Sequence, residues 1–484
     1  TIDVESKDAG KVNQFYGALY RASFLPHEMS DVNGDYPEFS TGTVKMGNAT
    51  LSSKGYAVPA YSYLRKYGDF SMWDIYRAEL PLYSLITPKM SGEMMQSLVQ
   101  MYKEGGWMPI FPCWNSYTAA MIGDHASAAL ADAYVKGIRN FDAAKAYEGM
   151  RLNAFSTPYL AKDYRDGKGR RAIKSYMDNG YIPLEDMVEE AFHTNEQTSR
   201  TLEYAYDDYA VAQMAKVLHD SCQDAALRQK YLEDYNDLMR RSENWRNVIN
   251  PATGWADGRY ENGKWENNED LVHRKSYITE GATCHYTWYV PQNPEGLFEV
   301  IRNSKPMDKQ EKQIEKAERK MEKKGETPVR NEKVIARLDK MFDNGWYWHG
   351  NEPCHQVAYL YDAAGAPEKT QERVHHILQT EYNDTPGGLS GNDDAGQMSA
   401  WYVFSSIGFY PVCPGTPYYY IGTPSFDKVT LNLENGRKFI LSADRQHMDD
   451  YLIQSVTLNG KPLGDYRLSH QQILTGGELH FQMK

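Results

Sequence analysis

Residues 391–401 read GNDDAGQMSAW. Two adjacent carboxylates, Asp393 and Asp394, stand between a helix-breaking Gly391-Asn392 and an apolar run, Met398 to Tyr410, that reads as buried. Neighbouring anions repel, so such a pair sits in water, beside a cation or around a shared proton. A helix cap accounts for one aspartate; a metal, or a water held for deprotonation, would account for the other. Three more stretches mix polar and apolar residues. In WDIYRAE, Trp73 and Asp74 precede Arg77 and Glu79, and Asp74 and Arg77 share a helix face. In YITEGATCHYTWYVP (277–291), Glu280 lies among aromatic residues. A carboxyl stripped of hydration holds its proton and can act as an acid near neutral pH. In HGNEPCHQVAYLY (349–361), Pro353 suits a first helical turn and Asn351 and Glu352 fall at its start. Glu352 and Gln356 are four apart, so both oxygens could reach one hard cation such as calcium. Each stretch also has a plain structural account: an ion pair for Asp74 and Arg77, helix caps for Glu280 and Glu352.

The sequence holds no GxSxG, HExxH, P-loop or strand-borne GxGxxG. Splitting a glycosidic bond with inversion uses what is present. One carboxylic acid protonates the leaving oxygen; a second carboxylate, about 6.5–9.5 Å away, deprotonates water on the opposite face of the sugar. Glu280 fits the first role, and Asp394 or Asp393 the second. A calcium ion gripping two hydroxyls could help flatten the ring and offset the anionic charge.

These groups need a scaffold. A chain of 484 residues suggests two or three domains, and 41% hydrophobic residues suffice for a large core. A net charge of −12 argues against a nucleic-acid groove. No apolar stretch reaches the roughly 20 residues of a membrane span. The 37 Tyr and 10 Trp serve core packing and also supply platforms for sugar rings. Five cysteines lie far apart, without zinc spacing. Helical periodicity is read at 11–25, 71–86 (broken or kinked at Pro81), 93–104, 116–136, 143–152, 201–218, 224–242, 294–303, 353–363, 368–382 and 397–407. The helices come in pairs, which suggests a helical toroid with its site in loops at one end. Residues 249–268 read as a hairpin or irregular loop, and 305–324 as a solvated charged helix. From 416 to 484 short β segments follow, at 418–422, 427–433, 437–442, 452–458 and 478–483, some of them edges in need of a partner.

The sequence resembles glycoside hydrolase family 92, calcium-dependent exo-acting α-mannosidases. FLPHEMSDVNGDY (24–36), FSMWDIYRAELPL (70–82), EGGWMPIFPCWNSYTAAMIGDHA (104–126), TLEYAYDDYAVAQMA (201–215), GNEPCHQVAYLYDAAG (350–365) and GNDDAGQMSAWYVFSSIGFYPVCPG (391–415) carry the resemblance. It implies a mainly α fold: an (α/α)6 catalytic toroid over 1–415, joined to a β-sandwich to which 416–484 contribute. It implies release of terminal mannose from N-glycans or mannan with inversion, at α1,2 linkages first and α1,3, α1,4 or α1,6 linkages otherwise. By the resemblance Glu280 is the general acid, and Asp394, with Asp393 beside it, the base. Glu352, Asn351 and Asp394, with Gln356, would grip calcium. Trp73, Asp74, Arg77, Asn351 and Glu352 would face the mannose. A periplasmic, secreted or cell-surface bacterial protein follows. Family members begin with a β-sandwich, so an N-terminal sandwich is expected to be missing here. Their EGNAWQYTW is EGATCHYTW in this chain, with Ala282, Cys284 and His285 in place of Asn, Trp and Gln. That change implies a different linkage preference or weak activity. The competing readings are a metal-independent (α/α)6 glucosidase-type hydrolase and a non-catalytic glycan-binding protein.

Overall fold

The structure is a computed structural model that describes residues 1–30, 35–41, 46–48, 65–158, 160–187 and 193–484. Part of the stretch 24–36, at 31–34, therefore lies outside the described residues. Helices dominate up to residue 407. The longest, Gln197–Ser221, forms a hairpin with Ala225–Arg241, and the Asp224 side chain caps the second helix by accepting from the Leu227 N–H. Pro294–Asn303 begins in the same manner, with Asn293 accepting from Gly296 N and Pro294 in the first turn. Gln397–Ile407 is buried along its length and stops at Gly408, whose φ of 113° suits glycine.

Three helices differ most from the expected spans, while others, such as Pro88–Gly105 for 93–104 and Ala9–Arg21 for 11–25, are shifted at their ends. Only His125–Val135 of 116–136 is helical, because residues 113–116 make a tight turn and Asp124 is drawn into a buried polar network. The run 71–86 splits into Met72–Ile75 and Glu79–Ile86, so the break precedes Pro81. Near a helix start a proline gives up no needed hydrogen bond. The run 353–363 is two 3₁₀ turns, Glu352–Cys354 and Val357–Tyr359, followed by one α turn, Leu360–Ala363. With three residues per turn, positions four apart no longer align as they do in an α-helix.

The β region is built from both ends of the chain. A six-stranded sheet runs Ile2–Glu5, Lys428–Asn432, Lys438–Asp444, Gly477–Met483, Ile453–Leu458, Lys461–Pro462. All pairs are antiparallel except Lys438–Asp444 with Gly477–Met483. Phe439, Leu441 and Ala443 alternate inward, as a half-buried strand requires. The edge that Lys428–Asn432 would leave open is covered by Ile2–Glu5. A second sheet joins Arg467–Ser469, Tyr418–Ile421 and Phe409–Tyr410. The helix Gln397–Ile407 packs against Ala9–Arg21 and Glu79–Ile86 and shares its core with both sheets. The Asp393-Asp394 segment that opens this helix thus lies at the seam between helical body and β region. The charged helix Lys309–Glu322 is tied down by a buried pair, Arg337 Nε to Glu311 Oε1 at 3.2 Å.

Candidate active site

Three carboxyls from three distant segments meet. Asp74, Glu352 and Asp394 each bring an oxygen within 4.8 Å of the other two. The approach is made possible by glycine. Gly350 and Gly391 pack backbone to backbone, so tightly that a Cβ on Gly391 would fall 2.6 Å from the Gly350 Cα and carbonyl oxygen. Each glycine opens a similar loop, Gly-Asn-Glu at 350–352 and Gly-Asn-Asp-Asp at 391–394. Asp394, Ala395 and Gly396 then follow in left-handed conformation, with φ of 46°, 63° and 104°. Glu280 is also left-handed, at φ 47°. For residues with a Cβ this conformation costs about 1–2 kcal/mol each, and it persists where the surroundings impose it.

Gln397 clamps the segments together. Its Oε1 accepts from Ala78 N at 2.9 Å and Glu79 N at 3.3 Å, donors that the start of Glu79–Ile86 leaves unpaired. Its Nε2 donates to His355 Nδ1 at 3.1 Å. One side chain thus links the 70–79, 349–361 and 391–401 stretches.

The charges are strongly coupled. Burial pushes the Asp74 carboxyl up to about 8; Asp394 and Glu280 add to the shift, while the Ser71 hydroxyl, donating at 2.6 Å, and Arg77 oppose it. Burial raises Glu352 well above the carboxylate range, and Asp74 and Asp394 reinforce it. Asp394 is raised by burial and by the charges of Glu280 and Asp393. Glu280, partly exposed, therefore lies close enough to act on both Asp74 and Asp394. Among the described residues, neither buried Glu352 oxygen has a well-formed hydrogen-bond partner. Its neighbour is the Asp394 carboxyl, an approach that needs a proton or a cation between the oxygens. An all-oxygen cluster with orphaned buried acceptors is the donor chemistry of a hard divalent cation, calcium above all.

The other expected residues take distinct places. Asp393 is used at the helix start: its Oδ1 accepts from Ser399 N at 3.0 Å, and its carbonyl accepts from Gly396 N and Met398 N. Asn351 donates Nδ2 to the Glu280 carbonyl at 3.1 Å, which leaves Oδ1 for a cation or substrate. Gln356 gives Nε2 to Pro353 O at 3.1 Å and lines a small internal space with Arg77, Tyr289 and Tyr410. Trp73 is only 2% exposed, and its Nε1 is committed to Glu203 Oε1 at 2.9 Å. Arg77, 5% exposed, lies behind the cluster between the rings of Trp73, Tyr76 and Tyr289, its guanidinium carbon 4.8–5.4 Å from their centres. Its charge favours the ionised forms of Asp74 and Glu352, but burial outweighs it at both.

Glu203 was not singled out by sequence, yet it supports the site. It accepts from Trp73 Nε1, from Tyr286 Oη at 2.8 Å on the helix after Glu280, and contacts His125 Nε2 at 3.3 Å. His125 also pairs with Asp207 at 2.9 Å. Burial works against a charged imidazole there, but Asp207 and Glu203 outweigh it and hold His125 up to about 9. The available signal was an apolar helix carrying acids at 203, 207 and 208 with no exposed face for them.

The model of the glycosyl hydrolase family 92 catalytic domain matches residues 1–484. The chain belongs to glycosyl hydrolase family 92. A family 92 α-mannosidase from Bacteroides thetaiotaomicron is 31% identical and superposes with a TM-score of 0.80, over 100% of this chain and 56% of that one. A family 92 inverting mannosidase from the same organism is 30% identical, with a TM-score of 0.81 over 100% of this chain and 60% of that one. A protein of Arthroderma benhamiae described as an uncharacterized secreted glycosidase is 29% identical over 439 residues, 84% of this chain and 50% of its own length. The chain thus spans half the length of that curated relative and 56–60% of the solved structures. The family 92 fold of this chain is mainly α, an (α/α)6 toroid with a C-terminal β region. No helix among the described residues is long and apolar enough to cross a membrane.

Proposed function

We propose that this family 92 chain carries the catalytic centre of an exo-acting α-mannosidase that releases terminal mannose with inversion. The observation that carries the reading is the Asp74–Glu352–Asp394 cluster, to whose Glu352 loop the Glu280 turn is tied by the 3.1 Å hydrogen bond from Asn351 Nδ2 to the Glu280 carbonyl. A proton donor and a proton acceptor on separate loops of one site are what inversion needs. Glu280 gives its proton to the departing glycosidic oxygen as the C1–O bond breaks. Asp394 takes a proton from the water that forms the new C1–O bond from the opposite face. Asp393, capping the next helix, fixes the segment that presents Asp394. Arg77 and the Glu203 network hold Trp73 and Asp74 in place behind the sugar.

Asp74, Glu352 and Asp394, with Asn351 Oδ1 in the adjoining loop and Gln356 beyond it, would hold calcium. Bound there, the ion would supply charge compensation and a grip on sugar hydroxyls. The substrates are mannose-containing glycans, N-glycans or mannan, cut at α1,2 bonds in preference to α1,3, α1,4 or α1,6. The description of the fungal relative as secreted supports a secreted or periplasmic location. Purified protein is incubated with the four mannobioses, with and without chelator, and the first anomer of released mannose is read by proton NMR. β-Mannose formed only without chelator supports the proposal. An α-anomer, or hydrolysis unaffected by chelation, rejects inversion or the metal respectively.

A further inference from the structure

Trp114 is the most exposed tryptophan among the described residues, at 85%, whereas Trp73, Trp245, Trp288 and Trp401 are fully buried. It sits at the tip of a turn closed by Cys113 N to Ser116 O at 3.2 Å and Ser116 N to Cys113 O at 3.0 Å. Trp114 and Asn115 both have positive φ, 53° and 55°. Two-residue turns of this hand normally use glycine or Asn-Gly, so a tryptophan and an asparagine here are strained. The strain is imposed from outside. The Trp114 N–H donates to Asp69 Oδ1 at 2.7 Å, Asn115 Nδ2 donates to Glu38 O at 3.0 Å, and Asn115 O accepts from Ser40 N at 2.9 Å. Asp69 is itself left-handed, at φ 58°, and leads directly into the segment bearing Trp73 and Asp74. The Cys113 thiol, next to Trp114, is raised by burial and then by the charges of Asp69 and Asp74. The turn is therefore fastened to the segment that leads to Asp74, and its hydrogen bonds hold a large apolar ring in water instead of in the core.

We propose that Trp114 is a stacking platform for the sugar on the leaving side of the scissile bond. The inference rests on the mannosidase reading above: with the terminal mannose at the carboxylates, the next sugar lies at the rim. A pyranose offers an apolar C–H face to a flat ring and leaves its hydroxyls in solvent, which suits an exposed indole of fixed orientation. Trp114 is thus a determinant of what the mannose is attached to.

The test compares wild type, Trp114→Ala and Trp114→Phe on α-mannobiose and on α-mannosyl fluoride, whose leaving group does not reach the rim. For Trp114→Ala the ratio of kcat/KM for mannobiose to that for the fluoride falls about tenfold, mainly through KM, the loss expected for one aromatic contact. Trp114→Phe recovers most of it. Equal losses on both substrates, no loss on either, or a wild-type dimer that Trp114→Ala dissolves would overturn the platform while leaving the mannosidase reading intact. Failure of wild type to cleave the fluoride would overturn the mannosidase reading and this inference with it.

Discussion

Asn351 donates from Nδ2 to the carbonyl oxygen of Glu280 at 3.1 Å, so the turn that presents the acid is fastened to the loop that carries Glu352. Proton donor and cation cluster are therefore positioned by one contact. Asn351→Ala is expected to lower kcat/KM on mannobiose by about 10- to 100-fold, the scale of a small misplacement of a catalytic group. The thermal midpoint should move little. Full activity in the variant would show that the contact does not position the acid.

Glu280→Gln should lose about 10²–10⁴-fold on mannobiose, whose leaving oxygen needs a proton, and far less on α-mannosyl fluoride, whose leaving group does not. Asp394→Asn should lose activity on both. Comparable losses for Glu280→Gln on the two substrates would remove it from the acid role.

Without a metal, the raised carboxyls take up protons. A carboxyl lifted to about 8, as Asp74 is, burdens the metal-free fold at high pH and relieves it as pH falls through that value. Calcium competes with those protons, so its stabilising effect should be largest at and above pH 8 and fade toward pH 5. Differential scanning calorimetry of chelator-treated protein, with calcium restored at each pH, reads this directly. An equal gain at both ends would mean the ion binds elsewhere.

Gly391→Ala places a methyl 2.6 Å from the Gly350 backbone, where no flexible side chain can yield. The two loops must separate, at a cost of about 1–3 kcal/mol. Calcium affinity and kcat/KM should both fall at least tenfold. Unchanged calcium affinity by titration calorimetry would show that this approach does not set the cluster.

His285 accepts from Ala282 N at Nδ1, 3.1 Å, and donates from Nε2 to Trp346 O, 2.9 Å, which fixes it as the neutral imidazole. Burial holds it below its ordinary 6.5. Its contribution is therefore present above about pH 6.5 and lost as pH drops from there through the lowered value. His285→Gln should flatten that part of the stability profile between pH 7.5 and 5. An identical profile would assign the acid sensitivity to other groups.

The sequence showed much of the scaffold where local signals were strong. Helices 294–303 and 397–407 begin and end where read, because caps, prolines and glycines mark their ends. The carboxylates of the cluster were legible from their odd placement among apolar residues. The breaks at Tyr76–Ala78 and ahead of His125 were not, since Gln397 and Asp207 impose them from 319 and 83 residues away. Glu203 escaped for the same reason: its partners Trp73 and Tyr286 are 130 and 83 positions distant. Periodicity reports which face of a helix is buried, not which buried carboxylate will meet which donor. Arg77 is the instructive case. Its spacing from Asp74 suggested a shared helix face, but the helix ends at Ile75, and packing withdraws the guanidinium among three aromatic rings.

Ile2–Glu5 hydrogen-bonds to Lys428–Asn432. A ribosome adding about 5–20 residues per second makes the first strand tens of seconds before its mate. This pairing therefore closes only after the helical body between the two strands has been made.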